Sequence, residues 1–455
     1  MKKIIRDKVK LKELPKIFFF LSLCLLSFGY GFIAYHYEIF PYKFIREAKI
    51  GMDFVIESIS TDEEDVYYRE DYYRETDYEK IIPIYEKNAA YNGLSLVTSI
   101  VEERSLSVRI IDMEGKLIHE WDIDWFEIWP DATHIPKSDQ LYPNSRPGTH
   151  IHGAELLDDG DLVFNFENLG LVRLDVCSNI VWRLPQRTHH SIYRDEYDNL
   201  WIPGNRFHDE PLPNFPNYKP PFVEPTILKI SLEGDVLDEI SILKILKQND
   251  LMGLLLLSSL DNTYTKVTGD TLHLNDIETF PSYLEEGAFQ HGDIMVSLRN
   301  INAVLILRPP ELAVTYMSIG EFVRQHDPDF IDGNTISIFD NHNIVSDGEN
   351  EPQSRILLRS FKDNQSNIYY TGDEENPFFT DIMGKHEWLP NENVLITETM
   401  KGKAFEIDQQ GKIVWEYVNI VDEGFVGIVE EVHRLPSEYD EEFFEQRTQD
   451  CGVTK

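Results

Sequence analysis

From residue 91 onward, short apolar runs alternate with polar turns. Four segments read as strand, tight turn, strand: VRIIDMEGKLIHEW (108–121), LVRLDVCSNIVWRL (171–184), ILKISLEGDVLDEI (227–240) and KAFEIDQQGKIVWEY (403–417). Gly115, Gly234 and Gly411 fall in three of these turns, where a hairpin bulge or turn demands positive φ. AVLILRPPELAV (303–314) and SRILLRSF (354–361) are weaker copies. In a second recurring pattern, a histidine precedes an Asp/Asn/Gly turn and another strand. It occurs as IHGAELLDDGDLVF (151–164), HHSIYRDEYDNLWI (189–202), HLNDIETF (273–280), QHDPDFIDGNTISIF (325–339) and KHEWLPNENVLI (385–396), with a decayed copy in VHRLPSEY (432–439).

Self-similarity at roughly 50 residues, with about four strands per unit, marks a propeller. Six units predict an all-β, six-bladed β-propeller, with GLSLVTSIV (93–101) as an early strand that helps close the ring. A β-sandwich pair would not explain a histidine at one point of each unit. In a propeller, equivalent positions of the inner strands converge on the central channel.

The N-terminus has a different pattern. Lys2, Lys3, Arg6, Lys8, Lys10, Lys12 and Lys16 precede the apolar run IFFFLSLCLLSFGYGFIAY (17–35), long enough for a transmembrane helix. With no A-x-A-like cleavage site after it, it predicts an uncleaved signal anchor, its basic flank cytoplasmic and the body outside the cytoplasm. The predicted organisation is a basic tail (1–16), an anchor (17–36), an acidic Tyr-rich stalk (37–90) that includes TDEEDVYYREDYYRETDYE (61–79), the propeller (91–436) and an acidic tail (437–455).

A net charge of −38 argues against nucleic acid or anionic lipid as partners. It also requires any anion pocket to be locally cationic. Of three cysteines, Cys24 lies in the apolar run, while Cys177 and Cys451 are able to pair in an oxidising compartment.

Two blocks resemble the bacterial arylsulfate sulfotransferases, which work without a nucleotide sulfate donor. QHDPDFIDGNTISIFDN (325–341) is similar to the family's QHD…FDN block, and HLNDI (273–277) followed by SLRNINAVLIL (297–307) to its HxNS…SxR segment. The likeness runs from about 93 to 435. It implies a six-bladed propeller that moves a sulfuryl group from an aryl sulfate donor to a phenolic or alcohol acceptor by a ping-pong route, with no cofactor or metal. His326 matches the nucleophile, which needs a neutral nitrogen lone pair. Arg299 matches the sulfuryl-binding arginine, a bidentate donor. His273 matches the general acid/base, and Asn275 an orienting residue. His190 is assigned the remaining sulfuryl contact, with His152 as the alternative.

His189 is expected to face away from its neighbour, as adjacent strand residues do. His386 and His433 are expected to be structural, and Asp340 and Asn341 to make turn hydrogen bonds. Asn275, Asp276, Asp340 and Asn341 are also a possible oxygen set for Ca²⁺. The alternative to an enzyme is a non-catalytic propeller that binds a protein, peptide or glycan.

Overall fold

A computed structural model describes residues 2–36, 72–135, 142–257, 267–344, 352–449 and 451, in two compact units, Met1–Asp71 and Tyr72–Lys455. The first holds one helix, Lys2–His36. Its Pro15–Ala34 segment has mean hydropathy 2.2 and is long and apolar enough to cross a membrane. Residues 37–71, most of the expected stalk, lie outside the described residues.

The second unit is all-β and contains seven sheets. Six have four or five strands. The first combines Val429–Arg434, near the C-terminal end, with Ser95–Val101, Ser105–Ile111 and Leu117–Ile123. The next five follow in chain order. Their first strands are Ile151–Leu156, Tyr193–Arg194, Leu274–Thr279, His326–Phe330 and Lys385–Trp388. The seventh sheet, which the repeat pattern does not anticipate, joins Tyr73–Glu75, Phe425–Gly427 and Ile420–Asp422.

The second strands of the six sheets are mostly buried because both of their faces are covered. Leu162–Phe166, Ile294–Leu298 and Val394–Glu398 are buried throughout, the pattern of strands packed on two sides. Apolar clusters fill the space between neighbouring sheets. Val163, Leu171, Leu200 and Ile202 join the second sheet to the third. Phe339, Ile356, Val394 and Phe405 join the fifth to the sixth. Val97 and Val432 of the first sheet pack with Leu395 and Trp415 of the sixth. Burying each such side chain contributes roughly 1.5–3 kcal/mol.

The turns follow one design. Asp112 Oδ1 accepts from the amides of Glu114 and Lys116, both at 2.8 Å, and Gly115 takes φ 82°. Asp408 and Gly411 repeat it. In the 171–184 copy Ser178 holds the positive φ of 63°, with Asp175 in the capping role.

Two boundaries differ from expectation. Part of the 37–90 stalk belongs to the all-β unit, since Tyr73–Glu75 and Ile84–Tyr85 pair with strands near the C-terminal end. Where an acidic tail was expected at 437–455, Asp440 caps the helix Glu441–Thr448. Its Phe444 is fully buried, so this segment has an apolar anchor, and Cys451 forms a disulfide with Cys177.

Candidate functional site

Four first strands bring histidines together. His152 is the second residue of Ile151–Leu156, His273 immediately precedes Leu274–Thr279, and His326 opens His326–Phe330. His190 lies shortly before Tyr193–Arg194. The ring of His190 lies 3.8 Å from that of His152, 4.9 Å from that of His273 and 5.7 Å from that of His326, stacked on the last with 15° between planes. His190 and His273 take positive φ, 59° and 54°, which turns their side chains out of simple strand alternation. Gly153 permits the approach of two sheets: a Cβ there would meet the His190 carbonyl oxygen at 2.2 Å.

His326 is buried, and its two ring nitrogens have different surroundings. Nδ1 lies 2.7 Å from Asn341 Oδ1. The Asn341 amide nitrogen donates to the carbonyls of Thr380 (3.0 Å) and Met383 (2.7 Å), which fixes the flip and leaves Oδ1 as the acceptor. The proton therefore sits on Nδ1. Nε2 carries a bare lone pair with no hydrogen-bond partner. Burial, reinforced by the Arg299 charge, lowers the imidazole pKa to about 3, so the ring is neutral near pH 7.

His273 Nδ1 contacts the Asp270 carboxylate, whose other oxygen accepts the His273 amide at 3.0 Å. Its Nε2 lies 3.4 Å from His190 Nε2. Arg299 is half-buried in the turn Arg299–Ile301, and its amide donates to the His273 carbonyl at 3.0 Å. Burial lowers the guanidinium pKa. Asn275 donates to the Gln325 carbonyl at 2.8 Å, while its own Oδ1 is buried without a partner. The predicted residues His326, His273, His190 and His152 thus converge, with the Arg299 charge acting on His326.

His189 requires a correction. It does not face away, since its Nδ1 lies 2.7 Å from His190 Nδ1 and its ring 5.6 Å from that of His273. The segment before Tyr193–Arg194 is not a strand, so alternation does not apply. The Ca²⁺ reading also fails on geometry. Asp340 is engaged by Arg355 and by the amides of Val323 and His342, and Asn341 is committed to His326. Asn341 and Asp270 are the site residues that sequence reasoning missed. The FDN block flagged the first as a turn residue and a possible Ca²⁺ ligand, not as the partner of His326; the second sits three residues before His273.

His386 is held by Asp327 (Nδ1, 3.0 Å) and Ser337 (Nε2, 2.7 Å). His433 stands between Glu431 and Glu387, at 3.4 and 3.7 Å. Burial opposes its protonation, but these two charges raise its pKa well above the ordinary value. The residue of the last first-strand that occupies the position of His152 is Glu430, the second of Val429–Arg434.

A small cavity is lined by His152, His190, Asn275 and His326. It shares Ser191, Asp276, Asp327 and Lys385 with a larger one of about 560 Å³. The larger cavity is acidic: burial pushes Asp276 up to about 7 and Glu278 well above its usual range. Lys385, 3.0 Å from Asp327, and Arg194 are cations in its wall.

Residues 153–420 match the family model for arylsulfotransferase (ASST). No curated protein matches the chain. Among solved structures, a protein of unknown function from Bacteroides caccae shares 11% identity at TM-score 0.43, with 74% of this chain and 99% of that one covered. The Neurospora crassa Pan2 WD40 domain shares 8% at 0.36, covering 70% and 76%. Virginiamycin B lyase from Staphylococcus aureus shares 10% at 0.34, covering 67% and 88%. Likeness at this level carries no functional argument.

Proposed function

The chain belongs to the arylsulfotransferase (ASST) family, and on that footing we propose that it moves a sulfuryl group from an aryl sulfate ester to a phenolic or alcohol acceptor through a sulfohistidine on His326. The observation that carries this reading is the pairing of a fixed Nδ1 proton with a bare, buried Nε2 on a ring kept neutral by burial and the Arg299 charge.

In the first half-reaction the Nε2 lone pair attacks sulfur, the S–O bond to the aryl group breaks, and the electron pair leaves on the phenolic oxygen. His273, its Nδ1 held by Asp270, donates a proton to that oxygen as general acid. In the second, the acceptor hydroxyl returns a proton to His273, its oxygen attacks sulfur, and the S–N bond to His326 breaks. Arg299 holds two sulfuryl oxygens and stabilises charge in both transition states. His190, with His152 beside it, borders the transferring group, and Asn275 orients the surrounding rings.

We assign the six main sheets to six propeller blades. The pairing of Val429–Arg434 with Ser95–Val101 and the packing of the sixth sheet on the first support a closed ring. The helix around Pro15–Ala34 serves as an anchor, with the basic flank cytoplasmic and the blades outside. The Cys177–Cys451 disulfide suits that oxidising side.

The test is incubation with 4-nitrophenyl sulfate and excess phenol, followed by mass analysis of the peptide holding His326. Acceptor-dependent chromophore release and a labile sulfuryl on that peptide, both absent in His326→Ala, are expected. No release from any aryl sulfate by the folded chain would sink the enzyme reading and leave the binding module.

A further inference from the structure

The geometry points to a divalent-metal site formed by His150, His152 and Glu430, with Glu167 at its edge, on the wall of the histidine cup. It goes beyond sulfuryl transfer and does not depend on it.

Glu430 carries the argument. Only 4% of it is exposed, yet both carboxylate oxygens lack a hydrogen-bond partner. A buried carboxylate is ordinarily paired, hydrogen-bonded or bound to metal. Its neighbours offer bare acceptors as well. His152, 8% exposed, has an unpartnered Nδ1, and His150 Nε2 makes no hydrogen bond although the Glu167 carboxylate lies 3.2 Å away. One nitrogen from each histidine and one Glu430 oxygen lie within 4.8 Å of one another. Donors around a tetrahedral zinc with bonds of about 2.1 Å sit roughly 3.4 Å apart, a distance that small side-chain rotations reach from here. Glu167 adds a fourth donor, its carboxylate 3.2 Å from His150 Nε2 and 4.0 Å from His152 Nδ1.

The donor set chooses the ion. Two imidazoles and one or two carboxylates suit Zn²⁺ or a similar transition-metal dication. Ca²⁺ prefers six to eight oxygens, which this cluster does not supply. Glu167 is about one-third exposed and His150 borders solvent, so an ion has a route in. Because the His152 ring lies 3.8 Å from His190, a bound dication would place positive charge beside the cup within a strongly anionic chain.

The experiment measures metal, not turnover. Untagged full chain is stripped with a chelator, then titrated with Zn²⁺, Mn²⁺ and Ca²⁺ while ion content and thermal unfolding are followed. We expect one equivalent of Zn²⁺ per chain and a raised melting temperature. Glu430→Gln and His150→Asn should each weaken Zn²⁺ binding by at least about 100-fold, whereas Asp329→Asn, in the acidic cavity, should leave it unchanged. Absence of stoichiometric ion in the native chain, or undiminished binding in a folded Glu430→Gln chain, would overturn the site. If Glu430→Gln does not fold, His150→Asn decides by the same criterion. Loss of sulfuryl transfer with metal binding intact would refute the activity and leave this site standing.

Discussion

Asn341 Oδ1 meets His326 Nδ1 at 2.7 Å across 15 residues of sequence, and this one contact decides which imidazole nitrogen is free to react. The Asn341 amide is itself pinned by two carbonyls, so the tautomer is set by backbone on the far side of the asparagine. Asn341→Ala should lower kcat by about 10- to 100-fold, corresponding to roughly 1.4–2.7 kcal/mol, with little change in KM. Asn341→Asp should favour the imidazolium and move the acidic limb of the rate profile upward. Steady-state kinetics across pH check both, and a wild-type kcat in Asn341→Ala would refute the role.

Arg299 acts on His326 as a charge, and the proposed mechanism gives it the grip on the sulfuryl oxygens. Arg299→Lys keeps the charge but loses the planar fork. Activity should drop about tenfold or more, and Arg299→Ala should drop further. Equal activity in the lysine variant and wild type would show that no bidentate contact is made.

The dependence of stability on pH follows from opposing shifts. His326 and His189 are lowered to about 3 from 6.5. The unfolded chain therefore binds their protons first, and their contribution is lost as pH falls from about 6.5 toward 3. Asp276 and Glu155 are raised to about 7 from 3.8 and 4.5. The unfolded chain releases those protons first, so stability is lost as pH rises from about 3.8 and 4.5, respectively, toward 7. A maximum in melting temperature between about pH 4.5 and 6.5 is expected. A steady rise from pH 5 to pH 9 would contradict the assignment.

The Cys177–Cys451 bridge closes a loop of 274 residues. Replacing both cysteines with serine should cost about 2–5 kcal/mol, read as a lower denaturant midpoint. Sulfuryl labelling of His326 should persist in the folded variant, because neither cysteine lines the cavity that holds His326.

Gly153 has no room for a side chain: a Cβ would sit 2.2 Å from the His190 carbonyl oxygen, a backbone atom. Gly153→Ala should destabilise by about 1–3 kcal/mol and reduce turnover by tenfold or more, by displacing His190. Unaltered kinetics would show that the His190 position is unimportant.

Much of this was legible from residue order alone. The strand–turn–strand copies, the positive-φ glycines at 115, 234 and 411, the apolar N-terminal run and the recurrence of His152, His190, His273 and His326 are all local or periodic signals, and the sheets follow them because strand pairing obeys the same period. What the residue order did not contain is how single side chains turn at strand mouths. His189 joined the cluster because His190 adopts a left-handed backbone. Asn341 became the partner of His326 because bulged pairing between His326–Phe330 and Thr335–Asp340 brings their ends together. Glu430 took the place of a histidine in the last inner strand, which only the register of Val429–Arg434 against Ser95–Val101 reveals. Periodicity determines which residues stand at the starts of the first strands; the left-handed turns, bulges and registers that aim each atom arise from packing between sheets far apart in the chain, so only the tertiary structure decides them.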